Sequence, residues 1–246
     1  MKIQAARGEH SSPRITKEEL SLALNFLIFS FATVGITLAF LLSDAEGYSH
    51  PYKRLLYFTQ QSNIWIGLIS GAFFVLLLIE RRRGIRLIGR GLRVAKYVFT
   101  VSITVTCLIF CSLLAPFADY NVWSFQSIIT HVIVPALSVV ELFLCQSRDE
   151  LRPSHCFLAL VPPSFYFVLT TILCILKVDF GKGDAFPYFF MDFYSEVGMF
   201  GADFSGLPKL GTFYWIIFLL SLMLGLAFGY RYVYNRIGRR REEAEE

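Results

Sequence analysis

Residues 20–42 read LSLALNFLIFSFATVGITLAFLL and contain no charged side chain. An α-helix rises 1.5 Å per residue, so about 20 apolar residues cross the ~30 Å hydrocarbon core of a bilayer. This run is long enough. No small-residue cleavage signature ends it, so it reads as a retained first span and not as a removed leader. Five comparable runs follow at residues 55–79, 97–117, 126–145, 155–176 and 212–234. The reading is an all-α integral membrane protein: one transmembrane domain over residues 1–246, built as a six-transmembrane-helix bundle.

The basic residues orient it. The segment before the first span holds Lys2, Arg7, Arg14 and Lys17. The connection at residues 80–96 holds Arg81, Arg82, Arg83, Arg86, Arg90, Arg93 and Lys96. With Arg148, Arg152 and the arginines of residues 231–241, eighteen of the 23 basic residues fall on one side of a six-span chain. Positive charge marks the cytoplasmic side, so both termini are expected there. The arginine-rich connection then reads as a topology anchor touching anionic headgroups, not as a nucleic-acid patch. Of 246 residues, 55% are hydrophobic and only 17% charged, which leaves little material for a soluble domain. The five cysteines are odd in number and sit in or beside apolar runs, so no disulfide framework is expected. No metal and no cofactor is implied.

Polar residues inside spans are costly and mark function or interhelical bonding. One cluster heads the second span: Thr59, Gln60, Ser62 and Asn63, with Thr59, Ser62 and Asn63 on one helix face. A second lies on the fourth span, where Ser127, His131, Pro135 and Ser138 form one stripe and Glu141 follows. Both spans enter from the outer side. Thr59 is then ~6 Å and His131 ~7.5 Å below the outer boundary at 1.5 Å per residue. A hydroxyl and an imidazole at matching depth suit nucleophilic attack with a general base. Gln60, Ser62 and Asn63 are candidate donors to an oxyanion. Asp192, in the long outer connection, is the candidate to orient the imidazole, because Glu141 lies ~15 Å further along the helix axis. Each polar group also has a plain reading as interhelical hydrogen bonding.

Three motifs resemble the androgen-induced gene 1 / androgen-dependent tissue-factor-pathway-inhibitor-regulating protein family, in its bacterial six-helix branch. They are Tyr57-Phe58-Thr59-Gln60-Gln61-Ser62-Asn63, the His131–Pro135–Glu141 pattern, and Phe186-Pro187-Tyr188-Phe189-Phe190-Met191-Asp192. The family's animal members are threonine hydrolases that cleave fatty acid esters of hydroxy fatty acids with an intramembrane threonine and histidine. The resemblance implies Thr59 as nucleophile and His131 as base, membrane lipids and a lipid ester as partners, and a bacterial plasma membrane as location. Pro135, Ser138, Tyr188 and Phe190 are the expected substrate-lining residues. The chain departs from the animal members in the His–Pro spacing and from the bacterial pattern at Phe189. The alternative from another class is a non-enzymatic carrier or a binding protein for a lipid or small solute. An aspartyl peptidase is disfavoured because no aspartate lies deep in a span.

Overall fold

The computed structural model describes residues 16–118, 122–145, 150–205 and 209–245. Six helices are long and apolar enough to cross a membrane: α1 (Lys17–Leu41), α2 (Phe58–Arg83), α3 (Arg90–Leu114), α4 (Phe125–Leu144), α5 (Pro153–Ile175) and α6 (Thr212–Arg240). The chain is an integral membrane protein with an all-α, six-helix fold. Large apolar side chains such as Leu41, Leu68, Phe125 and Phe165 face outward from the bundle. In water such a surface would aggregate; in lipid it is solvated.

Local chemistry sets the helix ends. Thr16 Oγ1 accepts from Glu19 N, and Glu19 Oε2 accepts from Thr16 N, each at 3.2 Å, which closes a capping box on α1. Gly84 ends α2 in the left-handed region, at φ 65°, where a glycine carries no steric cost. Several helices overrun the apolar runs that announce them. α2 continues through Arg83, and α3 starts at Arg90, seven residues before the apolar run. Lys96 is therefore not a loop anchor. It lies inside α3 and is only 2% exposed. Lys2, Arg7, Arg14 and Arg148 lie outside the described residues.

α3 is the centre of the bundle. Buried residues make up 61% of its apolar window against 17% for α6. Tyr97, Val98, Val101 and Val105 of α3 pack with Cys156, Tyr166 and Met223 from α5 and α6. On its other side, Ile103 packs with Ile28, Ala32, Ile66 and Ile129 from α1, α2 and α4. Small residues bring α1 close to its neighbours. A Cβ on Gly35 would sit 2.6 Å from Thr130 Cγ2, and one on Gly67 would sit 3.0 Å from Ala32 Cβ.

α1, α2, α3 and α4 also share a buried charged cluster. Glu141 Oε1 accepts from Ser21 Oγ and from Asn25 Nδ2, each at 2.9 Å. Lys96 Nζ donates to Asn25 Oδ1 at 2.8 Å and to Ser70 Oγ, and stands 3.9 Å from Glu141 Oε2. A charge can be buried this deeply only when it is paired and hydrogen-bonded, as both are here.

At the opposite end, the connections at 43–57 and 177–211 are laced together. Ser49 N donates to Gly181 O at 2.7 Å, and Lys53 pairs with Asp179 at 3.6 Å. Tyr166 Oη donates to Leu56 O at 3.0 Å. These bonds fix where α2 begins, and so fix the position of Thr59.

Candidate active site

Pro135 and Pro116 shape the site through the same backbone device. Each follows a five-residue π-helical turn, Ile129–Ile133 in α4 and Phe110–Leu114 in α3. A proline has no N–H for the helical ladder. The residue before it takes up a wider bond instead: Val134 N donates to Ile129 O, and Ala115 N donates to Phe110 O. Such wide turns recur at functional sites.

In α4 the device has a direct consequence. Val134 N is committed to Ile129 O and Pro135 has no N–H, so the Thr130 carbonyl loses its helical partner. Asn63 Nδ2 of α2 supplies one at 3.1 Å and also bonds Thr59 O at 2.8 Å. A buried carbonyl without a donor is expensive, so this amide bridge docks α2 onto α4. The docking puts the Thr59 hydroxyl 3.3 Å from His131 Nε2.

The other ring nitrogen defines the tautomer. His131 Nδ1 lies 3.0 Å from Ser127 O, with Ser127 Oγ at 3.1 Å and Thr130 Oγ1 at 3.2 Å. A carbonyl only accepts, so this network assigns the proton to Nδ1. Nε2 then presents its lone pair to the Thr59 O–H. The ring is clamped against Phe110, stacked at 3.7 Å between centroids and 17° between planes. Trp123 braces Phe110 edge-on at 5.5 Å.

Thr59 also lines a partly open cavity between α2, α3, α5, α6 and the 186–191 segment. Among the described residues, no charged side chain lines it. Val105, Phe167, Leu219, Leu220 and Met223 make its apolar wall, and Thr59, Thr106, Tyr166 and Tyr188 supply the hydroxyls. Apolar walls with a few hydroxyls are the usual lining of a small-molecule pocket.

The other expected site residues divide. Tyr188 and Phe190 line the cavity. Pro135 and Ser138 are not among its lining residues: Pro135 acts on the backbone, and Ser138 Oγ is fully buried on Val134 O at 2.7 Å. Ser62 Oγ and Asn63 Nδ2 both spend donors on the Thr59 carbonyl, and Ser62 also meets Thr106 Oγ1 at 2.9 Å. They buttress the Thr59 backbone and point no donor into the cavity. Gln60 is buried, lies outside the cavity wall, and its Oε1 has no hydrogen-bond partner among the described residues. Asp192 accepts from Tyr194 N at 2.9 Å within its own turn, and the imidazole is oriented by Ser127 O in its place. Phe110 and Tyr166 carry no sequence signal that separates them from ordinary packing aromatics. Among the described residues, no group of three or more His, Cys, Asp or Glu side chains is placed to hold a metal.

Searches against family models, curated proteins and solved structures return no match for this chain.

Proposed function

We propose that the protein is an intramembrane threonine hydrolase for uncharged lipid esters, of the fatty acid ester of hydroxy fatty acid type, in a bacterial plasma membrane with both termini cytoplasmic. The observation that carries this reading is the Thr59 hydroxyl at 3.3 Å from an imidazole lone pair, on the wall of an uncharged cavity. The motif resemblance to the androgen-induced gene 1 family supports the same pair. His131 takes the hydroxyl proton as Thr59 Oγ1 attacks the ester carbonyl, then returns it to the departing alcohol. Water, deprotonated by His131, releases the acyl group from Thr59. Purified protein in detergent is expected to hydrolyse a long-chain ester, and Thr59→Ala and His131→Ala are each expected to abolish the activity while keeping the wild-type melting temperature. Full activity in both variants overturns the proposal.

A second reading rests on the Lys96–Glu141 cluster, because buried ionisable pairs occur in carriers and proton relays. Reconstituted flux that survives loss of both Thr59 and His131, and disappears in Glu141→Gln, would select a carrier.

A further inference from the structure

Acyl transfer places negative charge on the former carbonyl oxygen, and a hydrolase needs donors where that charge appears. The side chains nearest to Thr59 in sequence do not meet this need. Ser62 and Asn63 are bonded to backbone carbonyls, and Gln60 is off the cavity wall. Tyr188 is on that wall, beside Thr59. Its ring is held edge-on to Tyr57 at 5.8 Å and stacked on Phe190 at 5.0 Å. The other hydroxyls on the wall are committed: Tyr166 donates to Leu56 O, Thr106 is bonded to Ser102 O and Ser62 Oγ, and Thr59 faces His131 Nε2. That leaves the Tyr188 O–H as the donor available toward the cavity.

We infer that Tyr188 is the oxyanion donor of the Thr59–His131 hydrolase. The inference rests on that reading of the site. As Thr59 Oγ1 bonds to the ester carbon, the carbonyl π pair moves onto its oxygen, and the Thr59 proton passes to His131 Nε2. Tyr188 donates a hydrogen bond to the new oxyanion and keeps its proton. Collapse re-forms the carbonyl and expels the alkoxide, which takes the proton from His131. The same cycle with water in place of Thr59 frees the acid. Burial pushes the Tyr188 phenol up to about 12, so it stays a donor at neutral pH.

The test compares the wild type, Tyr188→Phe and Thr59→Ala on one long-chain ester. Tyr188→Phe keeps the ring packing and is expected to lower kcat by about 100-fold with KM within about twofold. It is also expected to weaken an alkylboronic acid, which forms a tetrahedral adduct, by about 100-fold while leaving a non-hydrolysable ether analogue bound as before. Unchanged kcat in Tyr188→Phe, or a change confined to KM, overturns the inference provided Thr59→Ala is dead. Activity in Thr59→Ala overturns the underlying site reading instead. Should Tyr188→Phe fail to fold, 3-fluorotyrosine at position 188 is expected to move the alkaline fall in kcat to lower pH, and an unmoved profile overturns the inference.

Discussion

His131 Nδ1 and the Ser127 carbonyl stand 3.0 Å apart, and this bond sets the chemistry of the opposite nitrogen. Because the acceptor is backbone, the Ser127 side chain is dispensable. Ser127→Ala is expected to keep ester hydrolysis within about threefold of wild type, since one neutral hydrogen bond contributes roughly 0.5–1.5 kcal/mol. Pro135→Ala is expected to act differently. It restores an N–H, allows the wide turn at 129–133 to tighten, and carries His131 round by as much as ~100°, one residue of helical rotation. A fall in kcat of about 100-fold is expected, with little loss of melting temperature, because misplacing a base by an ångström costs about that much. Steady-state kinetics and a thermal melt on each variant check both outcomes.

Phe110 holds the imidazole in plane at a centroid distance of 3.7 Å. Phe110→Tyr preserves the stacking face and is expected to retain most activity. Phe110→Leu leaves the ring free to tilt, and kcat is expected to fall by about 10-fold or more with KM nearly unchanged. A change in KM alone would place Phe110 with substrate binding and not with the base.

Lys96 and Glu141 are only 2% and 6% exposed, so removing either charge strands the other. Lys96→Met and Glu141→Gln are each expected to destabilise by about 3–5 kcal/mol. The double variant Lys96→Met/Glu141→Leu is expected to recover at least half of that loss. Detergent melting curves measure it. Losses that simply add would show that the two groups are not coupled.

Much of the fold was legible because hydrocarbon demands long apolar runs, and six of them are plain. What the runs could not show is where a helix carries a charge into the bundle. Lys96 reads as loop by hydropathy, and it belongs to α3 because Asn25, Ser70 and Glu141, from three other helices, surround it. The matching depth of Thr59 and His131 was also legible, since it follows from counting residues from one end of two helices. The oriented imidazole was not. Its partner is a backbone carbonyl, which every residue has, and the ring position depends on two wide turns ahead of Pro116 and Pro135. Asp192 looked suitable by charge, yet its own turn at Tyr194 takes its carboxylate.

The cavity wall offers a control on substrate length. Leu220 of α6 lines it far from His131 in sequence. Leu220→Trp adds bulk to an apolar space and is expected to lower kcat/KM for long-chain esters much more than for short ones. Competition between a C4 and a C16 ester checks this, and an equal loss for both would mean the chain does not lie there.

The proposed chemistry requires Thr59 to be a nucleophile activated by His131. Intact-mass and peptide mapping of protein treated with a fluorophosphonate test it most directly. A single phosphonyl adduct on Thr59 is expected in the wild type, and none in Thr59→Ala or His131→Ala. An adduct that persists in Thr59→Ala, or that maps to another residue in the wild type, would contradict it.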